Sequence, residues 1–217
     1  MRLTCKLKTN LRNQKVFGVD PEKLPMVVDR DNGIEVPEIL VILKELVLVN
    51  QGEQVEGLFR RAGSEIEMKK LKKAIEEGPW SELKSKDVHS VATLIKRWFK
   101  ELPKRILDFT GTPNPIPLQQ LAQDQSLKLN LQQFLSPVYA RLLNWLFHLC
   151  LKVIHNYPTT KMDPKNLGAY IFLLFAHNCI LIRLIFLMID SNRLGTRDCP
   201  RKLWWDNSRL CCYWTWD

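Results

Sequence analysis

Glu56-Gly57-Leu58-Phe59-Arg60-Arg61-Ala62-Gly63-Ser64 sets two arginines between two glycines. Ser64 is followed three residues later by Glu67, the Ser-x-x-Glu spacing of a capping box, so a helix should start here. Arg60 then lies in a loop just before a rigid helix, with its base fixed and its side chain able to reach out of the protein. Taken alone, the stretch reads as a loop carrying an ordinary solvated arginine. The helix should run from about Glu65 to Glu77, with Met68, Leu71, Ala74 and Ile75 on its inner face and Gly78-Pro79 as its end. Lys69, Lys70, Lys72 and Lys73 point mostly away from that face. This lysine run reads first as a solvated surface and second as an attractant for an acidic partner.

Downstream lies a second informative stretch, Asp87-Val88-His89-Ser90-Val91-Ala92-Thr93-Leu94-Ile95-Lys96-Arg97-Trp98-Phe99-Lys100-Glu101-Leu102-Pro103. Val88, Val91, Ala92, Ile95, Trp98, Phe99 and Leu102 recur at i, i+3, i+4 and i+7, an amphipathic helix from about Val88 to Glu101. Pro103 stops it by disfavouring helical geometry at Leu102. Trp98 belongs to the core, and Lys96 and Lys100, four apart, share a face beside the stripe.

Upstream, Val36-Pro37-Glu38 begins a first long helix with Pro37 near its first turn, and Ile39, Leu40, Leu43, Leu46 and Val47 follow helical spacing. The β-branched Val41, Ile42, Val47 and Val49 keep a strand reading open. Asn50-Gln51-Gly52 is the expected stop. Further on, Gly111 to Pro117 is a turn-rich connection, and Leu118 to Leu135 should hold one or two short helices. Ser136-Pro137 reads as an N-cap with proline at the first helical position, followed by a stripe of Tyr139, Leu142, Leu143, Leu146, Leu149, Cys150 and Val153. His148 and His155, with no acidic or cysteine partner nearby in sequence, read as structural or solvated.

The chain has 217 residues, 46% hydrophobic and 25% charged, an ordinary globular mixture with room for a sizeable core. A net charge of +9 favours an acidic partner: a protein face, an anionic membrane or, last in rank for want of a nucleic-acid motif, nucleic acid. Of the 6 cysteines none forms a CxxC pair and the 4 histidines are scattered, which argues against a zinc site or a disulfide framework. Met1-Arg2-Leu3-Thr4-Cys5-Lys6 is not followed by the apolar run of a secretory signal, and a reducing, cytoplasmic setting is expected.

The order and separation of the two stretches resemble the Rho GTPase-activating (RhoGAP) domain. Val16-Phe17-Gly18-Val19, the Val36-Pro37 pair before an apolar helix, Glu101-Leu102-Pro103, and Lys161-Met162 followed by Asn166-Leu167 add to the likeness. The resemblance covers residues 16–167, after a basic lead-in at 1–15. It implies an all-α, RhoGAP-like helical bundle that misses or replaces its last helices. It also implies a chain that stimulates GTP hydrolysis by a Rho-family small GTPase (Rho, Rac or Cdc42 type) in its GTP-bound form, rather than an enzyme in its own right. Arg60 falls at the arginine finger, while Lys96, Lys100, Arg61 and Asn166 fall on the GTPase-facing side. At Lys100 the family usually has arginine, so the planar fork is lost there. No cofactor and no metal are expected: the chain has no GxxxxGK[ST] loop, and GTP and Mg²⁺ belong to the partner.

The likeness breaks after Gly168, where Ala169-Tyr170-Ile171-Phe172-Leu173-Leu174 stands in place of the family's Phe-Gly-Pro-Asn-Leu. Residues 168–217 carry four of the 7 tryptophans and four of the 6 cysteines. Leu167 to Ile189 is long enough to span a membrane, but Arg183 near its centre is costly there. Three readings stand: a membrane segment, a buried helix, or, the one preferred, a tail from a splice variant, intron read-through or frameshift. The alternative function follows from this break: a GTPase-binding module, or truncated form, without stimulating activity.

Overall fold

Met26–Val28 (β1) and Glu35–Pro37 (β2) pair antiparallel, with Val27 opposite Val36 and Met26 opposite Pro37. The structure, a computed structural model, describes residues 15–80, 83–106, 135–163 and 166–168. This small hairpin is a feature that periodicity misses, because three-residue strands are too short to show alternation. It also refines the reading of Pro37 as lying near the first turn of the first helix. Pro37 closes β2 and stands as the N-cap of the first helix, at φ −51° and ψ 131°. A residue with no backbone N–H is tolerated at a sheet edge, and both strands of a two-stranded sheet are edges.

The α-helices bounded within the described residues are α1 Glu38–Val49, α2 Glu65–Glu77, α3 Val88–Lys100, α4 Pro137–His155 and the short α5 Tyr157–Thr160. The β-branched residues that left α1 open to a strand reading lie within a helix buried on nearly every side, from Glu38 to Lys44 and at Leu46 and Val47. A helix apolar all round belongs at the centre of a domain. Here tertiary burial overrides local strand preference. It stops where expected, at Asn50-Gln51-Gly52: Asn50 is the C-cap and Gln51, at φ +53°, takes the left-handed position.

α3 packs on α1 and α2 packs on α3. Val91, Ala92, Leu94, Ile95, Trp98 and Phe99 bury the inner side of α3, and Met68, Leu71 and Ile75 that of α2. α4 closes the core with Leu142, Leu143, Trp145, Leu146, Leu149, Cys150 and Val153. Burial pushes the Cys150 thiol far up, so it stays a neutral, inert core group. The Trp98 indole N–H donates to Val16 O at 2.9 Å and ties the Val16-Phe17 segment to α3. Lys72, one of the four lysines on α2, pairs with Glu101 at 3.0 Å and lies 4.6 Å over the Phe17 ring, while Lys69, Lys70 and Lys73 are exposed.

One charged cluster is internal. Lys44 on α1 pairs with Asp29, both side chains 3% exposed, and with Asp31 at 3.1 Å. The Trp145 indole N–H donates to Asp29 Oδ2 at 2.7 Å, and Lys152 reaches Asp31 at 2.9 Å. The hairpin loop, α1 and α4 are thereby joined through hydrogen-bonded charges. Residues 1–14, the connection at 107–134 and the tail from residue 169 onward lie outside the described residues, as do the readings made of them. Among the described residues no helix is long and apolar enough to cross a membrane.

Candidate functional site

The segment between Gln54 and α2 is held by two apolar anchors and a set of backbone hydrogen bonds. Leu58 and Phe59 are both 0% exposed, so the loop is pinned into the core immediately before Arg60. The amides of Arg60 and Arg61 both donate to Gly57 O at 2.9 Å, and the Gly57 N–H donates to Thr160 O at 2.8 Å. Gly57 sits at φ +72°, and a Cβ there would lie 3.1 Å from Arg61 Cγ and 3.3 Å from Arg60 Nε. The positive φ favours glycine, and any larger residue would also have to displace the two arginine side chains.

Phe59 is at φ +68°, a left-handed conformation for a bulky residue. Such a geometry costs about 1–2 kcal/mol and persists only where its surroundings enforce it. Here two groups enforce it. The ring is fully buried, and its carbonyl accepts a hydrogen bond from Lys96 Nζ at 2.6 Å. Burial pulls the Lys96 ammonium below its ordinary pKa. Lys96 thus reaches from α3 to the peptide joining Phe59 to Arg60, and sets where Arg60 begins.

The far end of the loop lies flat on α3. A Cβ on Gly63 would stand 2.2 Å from Ser90 Cα, and the Gly63 N–H donates to Thr93 Oγ1 at 3.3 Å. The expected capping box at Ser64 is half formed. Ser64 Oγ accepts from the Glu67 N–H at 3.4 Å, but the Ser64 N–H donates to Asp87 Oδ2, also at 3.4 Å. Asp87 is itself the N-cap of α3, accepting from the amides of His89 and Ser90. One carboxylate therefore caps its own helix and the entry to α2. Partial burial pushes the Asp87 carboxyl up, but hydrogen bonds from Ser90 Oγ and from the Ser90, Ser64 and His89 amides outweigh it and leave it below the usual range.

The side chains outside this frame are cationic. Arg60 is 34% exposed and Arg61 54% exposed. Both face Glu56: Arg61 Nη2 lies 3.1 Å and Arg60 Nη2 3.8 Å from Glu56 Oε1, and Lys161 Nζ lies 3.0 Å from Glu56 Oε2. The hydrogen bond from Lys161, then its charge, hold the Glu56 carboxyl below the usual range, with Arg61 and Arg60 adding to it.

The structure brings Arg60, Arg61 and Lys96 to one loop. Lys100 lies one helical turn beyond Lys96 and is exposed, and Asn166 donates its backbone N–H to Asp163 Oδ1 at 2.6 Å. Among the described residues, neither Lys100 nor Asn166 bonds to the loop through its side chain. Sequence reasoning missed Glu56, Asp87 and Thr160, which hold the loop in place. Glu56 and Lys161 are separated by 105 positions, and no local pattern pairs them. Among the described residues no cluster of His, Cys, Asp and Glu is arranged to hold a metal ion.

The family description "RhoGAP domain" matches residues 37–179. The chain belongs to the RhoGAP domain family. Among its relatives, Rho GTPase-activating protein gacA of Dictyostelium discoideum is 38% identical over 155 residues, covering 70% of this chain and 43% of that protein. Rho GTPase-activating protein 5 of Arabidopsis thaliana is 34% identical over 165 residues, covering 75% of this chain and 46% of that protein. This chain thus spans less than half the length of these curated relatives. The crystal structure of human Rho GTPase activating protein 15 shares the fold, with a TM-score of 0.61 at 20% identity over 86% of this chain and 92% of that one. In this RhoGAP-family chain the matched region includes the elements that frame the Arg60 loop, from α1 through α5.

Proposed function

We propose that this chain is a GTPase-activating protein for a Rho-family small GTPase and that Arg60 is its arginine finger. The reading is supported by membership of the RhoGAP family together with one feature of the loop. Arg60 follows a buried, left-handed Phe59 whose carbonyl is fixed by Lys96, and its guanidinium is part-exposed. Backbone strain held in place beside a part-exposed arginine suits a group supplied to another protein's active site.

The chemistry would proceed on the partner. In phosphoryl transfer to water, negative charge builds on the oxygens around the γ-phosphorus, and little covalent work remains beyond positioning and neutralising it. A planar guanidinium donates two parallel hydrogen bonds to such oxygens, which an ammonium does not. Arg61, drawn to Glu56, supports the loop and screens the surface. Lys96 positions the finger, and Lys100 and the exposed lysines of α2 offer positive charge to an acidic GTPase face.

Single-turnover GTP hydrolysis by Rho, Rac and Cdc42 type GTPases, with this chain and with Arg60→Ala, tests the reading. Stimulation by the parent should fall by about 10³-fold or more in the variant. A folded parent that binds the GTP-loaded partner without accelerating hydrolysis would instead support a docking module. This second reading is favoured by the sequence Ala169 to Leu174, where the resemblance leads one to expect Phe-Gly-Pro-Asn.

A further inference from the structure

Glu56 stands immediately before the glycine that opens the finger loop, and its carboxylate meets three cations. They are held unequally. Lys161 and Arg61 lie at 3.0 and 3.1 Å, within hydrogen-bond reach, whereas Arg60 lies at 3.8 Å, beyond it. The oxygens are also divided: Oε2 takes Lys161, and Oε1 takes Arg61 with Arg60 behind it. A second link runs alongside, since the Gly57 N–H donates to Thr160 O, one residue before Lys161. Lys161 is itself the C-cap of α5 at φ +53°, so a backbone bend just after the helix presents its side chain.

We infer that Glu56 is a positioning residue for the finger loop: it clamps Arg61 and Lys161, fastens the loop to the end of α5, and leaves Arg60 the most loosely held of its three cations. The inference rests on Arg60 acting as the finger. Its consequence is a division between adjacent arginines. Arg61 is occupied at rest, so the partner's nucleotide meets Arg60 without competition from its neighbour. The loop is then braced from two sides, by Lys96 of α3 and by the Thr160-Lys161 corner at the end of α5. An exposed ion pair alone contributes little to stability, so the effect belongs to geometry rather than to global folding.

Two readouts on the full chain test this, with Glu56→Gln and Lys161→Met as the variants. Glutamine keeps the shape of Glu56 and removes its charge; methionine keeps the stem of Lys161 and removes its ammonium. In stimulated single-turnover hydrolysis, Glu56→Gln should lower the maximal rate at saturating chain by about 10-fold while the half-saturating concentration changes by less than about 2-fold. Lys161→Met should act in the same direction, and the double variant should be no worse than the sum of the singles. A maximal rate that rises in Glu56→Gln would show a latch that restrains Arg60, and an unchanged rate a merely solvated ion pair; either overturns the inference.

Amide hydrogen exchange reads the same claim without activity, and so separates its failure from failure of the finger itself. Exchange at Gly57, Arg60 and Arg61 should quicken by about 3- to 10-fold in each single variant, while the α3 amides keep their protection. Unchanged loop exchange, or a rise shared equally by α3, overturns the inference whether or not the parent stimulates a GTPase.

Discussion

Lys44 and Lys96 both carry their ammonium groups away from bulk water, on different terms. Lys44 is 3% exposed and meets two carboxylates, Asp29 and Asp31, with Trp145 donating to the first of them. Lys96 is half-buried and, among the described residues, donates to a backbone carbonyl rather than to a carboxylate. The first arrangement neutralises charge within the core and joins three elements. The second leaves the charge uncompensated, pulled down in pKa by burial, and aims it at one strained peptide. Burial of a charge therefore serves two ends here: paired, it specifies the fold; unpaired and aimed at Phe59 O, it specifies where Arg60 starts.

Removing one partner from each site breaks the comparison most sharply. Asp29→Ala leaves Lys44 buried with only the part-exposed Asp31, and should destabilise the chain by about 3–5 kcal/mol in urea unfolding, because a buried charge loses its buried partner. Hydrolysis stimulated per folded molecule should stay near that of the parent. Lys96→Met should do the reverse. Methionine fills the space of the lysine stem and removes the donor to Phe59 O, so the maximal stimulated rate should fall by about 100-fold, while the melting temperature moves by about 5 °C or less. A large loss of stability in Lys96→Met with an unchanged rate would show that both lysines serve the core. A smaller effect tests the shared cap between α2 and α3. Ser64→Ala removes the acceptor for the Glu67 N–H but leaves Asp87 bonded to the residue 64 amide, so the cost should be about 1 kcal/mol or less.

Much of this architecture is written locally. Ser64 and Gly78 bracket α2, and Asp87 and Pro103 bracket α3, because capping and termination act within a few residues of the side chains responsible. The loop that carries Arg60 into the start of α2 follows from two glycines and a cap signal read together. What holds the loop was not legible. Asp87 displaces Glu67 from half of the capping box because α3 approaches close enough for Ser90 to touch Gly63, a proximity that no spacing encodes. Lys161 reaches Glu56, and Trp145 reaches Asp29, across separations of 105 and 116 positions. The hairpin escaped notice for another reason: Val36-Pro37 fits a helix entry and a strand end equally well, and only pairing with Met26 and Val27 decides it.

The most direct measurement is the maximal rate of stimulated GTP hydrolysis, at saturating chain, for Arg60→Lys beside the parent. Lysine retains the charge and much of the reach but lacks the planar fork. If Arg60 acts by bidentate neutralisation in the transition state, the lysine variant should lose most of the stimulation, by about 100-fold or more, while binding the GTP-loaded partner as the parent does. A lysine variant that matches the parent's rate, or one whose loss is entirely a loss of binding, would contradict the account.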